Sequence, residues 1–325
     1  MNAPLKHPIT AIRQVSATDK DAAARVEAYL EQLEGATPFH RPVWMAAVER
    51  ACGHEALYLL AEDSGGAIRG LLPLHIVHSA LFGRSLVSCG FAVDGGILAE
   101  DYGIAQVLGD AAWALAEQRV LSDVELRGGF MPAGDWLIKS DAHAGFIAPL
   151  ADDDEAQLLA IPRKQRAEVR KGLANLLEIR IGNSSADRAN HYAVYAESVR
   201  NLGTPVFPKA LFDAVLDGFG DDADILTISS DGAPVASVLS LYHKGKVMPY
   251  WGGGTHAARR LRANDVMYYA LMNHARSKGC DRFDFGRSKI GSGAYAFKKN
   301  WGFEPQPLSL PSARCRGQNR AISIR

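Results

Sequence analysis

Val247-Met248-Pro249-Tyr250-Trp251-Gly252-Gly253-Gly254-Thr255 is the stretch whose reading decides the fold. It is a strand that breaks into glycines and passes through Arg259-Arg260-Leu261-Arg262 into a helix, with Asn264 expected as the N-cap. Met267, Ala270, Leu271 and His274 give that helix one apolar face for packing on a sheet, and Gly279 stops it. A second strand follows, Arg282-Phe283-Asp284-Phe285, which sends both Phe rings to one face and Asp284 to the other. Pro249 is the oddity, because a proline inside a strand removes a ladder N–H. The ladder is expected to open there, beside a glycine run and a helix N-terminus, where an extended ligand can pair with free backbone groups.

Working outward, 325 residues of which 47% are hydrophobic suffice for two medium domains. Lys plus Arg equals Asp plus Glu at 36 each, so no global field draws the protein to DNA, RNA or anionic membrane; any such contact has to be a local patch. Cys52, Cys89, Cys280 and Cys315 form no C-x-x-C pair, which argues against a zinc knuckle or a disulfide framework and fits a reducing cytoplasm. Met1 to Lys20 holds no apolar core of a signal peptide, and the apolar run Gly70 to Gly83 is short of a bilayer span, so a soluble protein with no transmembrane segment is expected.

The element order repeats. Strand, turn, strand, strand, glycines, helix, strand runs from Ala56 to Arg127 and again from Ile225 to Phe285. Gly95-Gly96 matches the glycine triplet at 252, the helix at 102–119 matches 263–278, and Val124 to Arg127 matches Arg282 to Phe285. An α/β fold of two tandem mixed sheets flanked by helices is expected, with domains at 1–155 and 156–325 and a linker helix at 156–176. In that helix Arg163, Arg166 and Arg170 share a face with Lys164 and Lys171 beside it, a stripe suited to phosphates of a nucleotide-linked substrate or RNA, or simply to water.

His75 and His78, three apart on a strand, point to opposite faces, so no metal is expected. H-E-x-x-H, G-x-S-x-G, the P-loop and G-x-G-x-x-G do not occur. His274 reads as a core histidine, and Trp301 and Phe303 as core packing. Of the adjacent pair Lys298 and Lys299, one is expected to face a cleft and the other water.

Arg282-Phe283-Asp284-Phe285-Gly286-Arg287-Ser288, followed by Gly291-Ser292-Gly293 and Phe297-Lys298, resembles the C-terminal signature of the FemAB-like N-acyltransferases, as does Arg-Leu-x-Ala-Asn at Arg260 to Asn264. In particular it resembles FemAB-related proteins associated with exosortase/PEP-CTERM and exopolysaccharide systems. The resemblance implies two tandem GNAT-like (acyl-CoA N-acyltransferase-like) sheets with the catalytic cleft in the second. It implies transfer of an acyl or aminoacyl group to an amine of a cell-envelope or exopolysaccharide precursor, small or linked to a lipid or nucleotide. It also implies no tightly bound cofactor, the donor being a co-substrate: aminoacyl-tRNA, acyl-CoA or acyl-carrier protein. Lys298 matches a lysine that stabilises the developing oxyanion. Two departures stand out: the coenzyme A loop of acetyltransferases, Arg/Gln-x-x-Gly-x-Gly/Ala, is replaced by Arg259 to Asn264, and the helix at 162–175 is too short for the hairpin arm that cell-wall members use for tRNA.

The residues themselves nominate Asp284 to accept or relay the amine's proton. Tyr250, Trp251, Gly252, Gly253, Arg287, Ser288 and Tyr295 are candidates for substrate binding, and Arg259, Arg260 and Asn264 for the donor. The alternatives are an acetyltransferase dependent on acyl-CoA or acyl-carrier protein and a catalytically silent scaffold in polysaccharide assembly.

Overall fold

A computed structural model describes residues 9–79, 83–134, 136–139, 143–307 and 312–316. The chain forms two compact units, Met1–Asp141 with Ser309–Arg325, and Ala142–Leu308.

The first unit contains β1 (Ile9–Ser16), α1 (Lys20–Glu31), α2 (Pro42–Cys52), β2 (Glu55–Asp63), β3 (Ile68–Ser79), β4 (Gly83–Val87), β5 (Leu98–Ala99), α3 (Tyr102–Gln118), β6 (Asp123–Leu126) and β7 (Leu137–Lys139). The second contains β8 (His143–Pro149), α4 (Asp154–Ala160), α5 (Arg163–Leu173), β9 (Glu178–Gly182), α6 (Ser185–Asn201), α7 (Lys209–Phe219), β10 (Ala223–Ser230), β11 (Ala233–His243), β12 (Lys246–Gly254), α8 (His256–Leu261), α9 (Ala263–Ser277), β13 (Arg282–Lys289), α10 (Gly293–Asn300) and β14 (Gln306–Pro307). A last strand, β15 (Ser312–Arg316), returns to the first unit.

Among the described residues the first sheet runs β1-β2-β3-β4-β6-β15-β7, with β5 beside β3, and the second runs β14-β8-β13-β12-β11-β10-β9. Each is antiparallel except for one parallel pair, β4 with β6 and β12 with β13, bridged in both units by helix. A parallel pair needs such a crossover, so the repeated order in sequence becomes a repeated topology in space. The result is an α/β architecture of two mixed sheets flanked by helices.

The boundary falls at 141/142, where the sequence reading put it at 155/156. The reason is pairing: His143–Pro149 bonds to β13 and β14 and delivers the buried Ala144 and Phe146 to the second core. The expected linker helix is likewise part of the second unit, since Gln165, Val169 and Gly172 of α5 are buried and Gln165 bonds Asp265 of α9. The first core lies between β2, β3, β4, β6 and α3, with Leu57, Leu72, Leu74 and Leu108 almost fully buried.

The glycine triplet has a packing cause. A Cβ on Gly253 would stand 2.1 Å from Ser198 Oγ and 2.6 Å from Ser198 Cβ on α6, and one on Gly254 would stand 2.6 Å from Asn264 Oδ1. Helices press on the strand from this close only because it carries no side chains there. Gly253→Ala is therefore expected to lower stability by about 1–3 kcal/mol. Ser198→Gly in the same molecule should restore part of the loss, and a denaturation midpoint that Gly253→Ala leaves unchanged would contradict this close contact.

Candidate active site

The parallel pairing of β12 with β13 lasts for two registers, Lys246 with Arg282 and Val247 with Phe283. Beyond it each strand carries a bulge. On β12, Leu239 of β11 faces Trp251 while Ser240 faces Pro249, so Tyr250 is the extra residue. On β13, Asp284 faces Ile147 and Arg287 faces Gly145, so Phe285 and Gly286 stand against Phe146 alone. Gly286 has φ +66°, a conformation that costs glycine little. The strands part where Pro249 withdraws its N–H, as the sequence led one to expect.

The β13 bulge is held by two ionisable side chains. Asp284 Oδ1 accepts the Gly286 N–H at 2.7 Å. Lys298 Nζ donates to the Arg287 carbonyl at 3.1 Å and the Gly286 carbonyl at 3.4 Å. It lies 5.4 Å from the Phe146 ring centre and 6.0 Å from that of Phe285. Burial pushes the Lys298 ammonium down to about 8, and the Asp284 carboxylate opposes that shift. Lys299 is exposed, so the pair divides as expected between a buried and a solvated amine.

An opened parallel pair, a helix crossing between its strands and a buried amine reaching back to the second strand from α10 form a recognisable constellation. Residues 163–299 match the acetyltransferase (GNAT) domain. The crystal structure of FemX shares 13% identity, covers 94% of this chain and 97% of its own, and superposes with a TM-score of 0.70. A tandem GNAT protein from the clavulanic acid biosynthesis pathway is 13% identical over 95% of this chain and 99% of its own, with a TM-score of 0.61. The C-terminal domain of a putative lysylphosphatidylglycerol synthetase from Agrobacterium fabrum is 14% identical over 91% and 92%, with a TM-score of 0.58. No curated protein matches the sequence. These likenesses establish the tandem GNAT-like fold.

Within this GNAT-like unit the nominated residues divide. Lys298 and Asp284 meet at the bulge, Tyr250 is the half-buried extra residue on the facing strand, and half-buried Tyr295 sets its ring edge-on to Phe146 at 5.3 Å. Arg287 is exposed on β13 and Ser288 is buried. Trp251 does not serve as expected: it is 5% exposed, with its ring 4.5 Å from Phe212, so it packs beneath the strand. Gly252 and Gly253 are explained by close packing, since a Cβ on Gly252 would lie 2.9 Å from the Ser237 carbonyl. Trp301 and Phe303 are both core residues. His274 bonds Asp224 at 2.7 Å, and Tyr242 bonds the same carboxylate at 2.8 Å. Tyr242 faces Val247 at the start of β12, so this group sits at the closed end of the pair.

The donor side also differs from expectation. Arg259 and Arg260 are exposed on the short helix α8. Asn264 is not the N-cap of α9: Arg262 is, in the left-handed conformation at φ 56°. The start of α8 is already served by a carboxylate of the chain itself, and two more carboxylates lie near the start of α9. Glu197 of α6 accepts the His256 N–H at 2.9 Å, Asp265 lies in the first turn of α9, and Glu168 binds Arg262. A diphosphate at α8 would meet the Glu197 carboxylate at the first N–H and the exposed Arg259 and Arg260 beside it, in place of a free backbone cradle. Glu197 and Phe146 were invisible to sequence reasoning, since only the fold brings α6 and β8 here.

The first unit closes the corresponding place. Beyond the pairs Leu86–Val124 and Val87–Glu125, the Ser88 N–H bonds the Glu125 carbonyl at 2.8 Å and Ser88 Oγ accepts the Arg127 N–H at 2.7 Å. The Arg127 guanidinium bonds the carbonyls of Ala92 at 3.1 Å and Cys89 at 3.3 Å. A Cβ on Gly96 would stand 1.6 Å from the Gly128 carbonyl, leaving no gap between these segments. Cys52, Cys89 and Cys280 are free thiols, and no group of three metal-ligating side chains occurs among the described residues. Arg127→Ala is expected to destabilise the protein by about 1–3 kcal/mol by stranding these carbonyls, with turnover per folded molecule unchanged. Thermal melts combined with activity normalised to folded protein check both halves of this; a well-folded variant with lost turnover would place chemistry in the first unit.

Proposed function

We propose that the second unit is an N-acyltransferase centre: an amine attacks an activated acyl group at the opening between β12 and β13. The observation that carries this is the two-register ladder ending beside a buried lysine amine. Attack of a neutral amine on the carbonyl forms a C–N bond and places negative charge on the carbonyl oxygen; the adduct then collapses as the acyl–carrier bond breaks, and the carrier's oxygen or sulfur leaves with the proton that the amine gives up. Lys298 is positioned to meet that charge. An ammonium has three N–H donors, and the bonds to Gly286 and Arg287 use two of them. In a partly dry site the remaining one gains strength toward an oxyanion that a neutral carbonyl does not elicit. Asp284 accepts or relays the proton lost by the attacking amine, while its bond to Gly286 fixes the bulge. Tyr250, Arg287 and Tyr295 orient the substrate.

The acceptor in this reading is an amine of a cell-envelope or exopolysaccharide precursor, supported by the FemAB-like signature at Arg282 to Ser288. The donor is a co-substrate. The Glu197 carboxylate at the first N–H of α8 argues against a carrier gripped there by backbone amides alone, and leaves any grip on donor phosphates to Arg259 and Arg260. No helix among the described residues is long and apolar enough to cross a membrane.

Lys298→Ala should lower kcat by about a hundredfold to a thousandfold with KM little changed, and Lys299→Ala should do little. The pH dependence adds a second reading. Because the folded amine titrates at about 8, below a free lysine, the cost of burying the cation is full below that pH and fades as pH rises above it. Activity runs the opposite way, since the cation does the work: kcat should fall as pH rises through about 8. Lys298→Arg, which stays charged, should shift that decline to higher pH. Equal behaviour of the Lys298 and Lys299 variants in steady-state assays, or an alkaline limb that persists unchanged in Lys298→Arg, would remove Lys298 as the electrophile.

A further inference from the structure

The segment from Leu159 to Ile181 combines two features that are seldom left exposed together. Of the twelve exposed large apolar side chains among the described residues, five fall within it: Leu159, Leu173, Leu176, Ile179 and Ile181. Leu176 is 96% exposed, so it packs on nothing in its own chain. Ile179 and Ile181, two apart on β9, share one face of a strand that, among the described residues, pairs with β10 alone and forms the sheet edge. The same segment contains six Lys and Arg against two Glu.

The helix α5 is divided lengthwise. Gln165, Val169 and Gly172 are buried against α9, while Arg163, Lys164, Arg170 and Lys171 are exposed. Lys171 pairs with Glu168 and still leaves 63% of its side chain in water. The inner face secures the helix, and the outer face holds cations next to apolar tips.

We propose that the second unit docks on an anionic lipid surface through this segment, with Arg163, Lys164 and Arg170 on the headgroups and Leu173 and Leu176 in the acyl boundary. Charge complementarity selects the occupant. A polyphosphate such as RNA would use the cations and leave the leucines in water. A second copy of this chain seated symmetrically would bury the leucines and set like charges face to face. An anionic bilayer interface accommodates both, because headgroups attract Lys and Arg while the boundary below them takes apolar side chains. The chain as a whole is neutral, so the attraction belongs to this patch and orients the second unit on the surface. The proposal is independent of the chemistry assigned to Lys298.

The test uses the full chain with sedimented vesicles of phosphatidylcholine alone or mixed with phosphatidylglycerol. Binding is expected only to the mixed vesicles and should weaken steeply as salt is raised. Arg163→Glu with Lys164→Glu should reduce partitioning by about tenfold or more. Leu176→Ser, at a side chain 96% exposed, should reduce it several-fold at unchanged circular dichroism, and adding Leu173→Ser should reduce it further. The proposal is overturned if mixed vesicles bind no better than neutral ones, or if the leucine variants bind as well as the parent. It is also overturned if a structured RNA binds at the salt where vesicles do not, or if light scattering shows a dimer that the leucine variants dissociate.

Discussion

Two register pairs of parallel ladder carry a disproportionate share of this molecule. Lys246–Arg282 and Val247–Phe283 hold β12 and β13 together at one end, and the strands are then free to part. Backbone groups in a sheet interior ordinarily find partners, so a ladder that stops early has to be enforced. Here the enforcement is covalent on one side and conformational on the other. Pro249 has no N–H to give, Tyr250 is an extra residue, and Gly286 turns through a positive φ that other residues resist. Asp284 and Lys298 then hold the bulge in place through the backbone of Gly286 and Arg287.

The first unit shows what the same topology does without that enforcement. Its parallel pair β4 and β6 begins in the same manner and continues into a seam of Ser88, Glu125 and Arg127. Gly96, Gly128 and Gly129 allow the backbones to approach until no space is left, with a Cβ on Gly129 falling 2.3 Å from the Ile97 carbonyl. Glycine therefore serves opposite ends in the two halves. In one it seals strands together, and in the other it admits helices against a strand whose far edge stays open.

Much of the second site was legible because its cause is local. A proline in a strand, alternating Phe-Asp-Phe and adjacent lysines each act through their own backbone or their immediate neighbours, and the structure keeps them where periodicity put them. What was not legible depends on distant pairing. Phe146 reaches Lys298 only because β8 joins β13, and a short strand at residue 143 carries no mark of the sheet it will enter. Glu197 lies on a helix whose capping and spacing explain its start but not the N–H it will meet on α8. The glycine triplet was read as a ligand loop because sequence shows the missing side chains and not the helices that need their absence. Asn264 failed as a cap for a similar reason: Arg262 takes a left-handed joint, fixed by Glu168 from α5, that moves the helix start.

The return of the chain to the first unit has a consequence in time. β8 precedes every other element of the second sheet, so that sheet can close as soon as its own residues exist. The first sheet cannot. β15 is the strand that covers β6 and pairs β7, and it is made after the whole second unit. During synthesis the nascent first unit therefore waits, with one edge unpaired, for more than half of the chain to follow. Unpaired edges invite wrong partners. Until β15 arrives, β6 keeps one side of its backbone open to any strand that can pair with it.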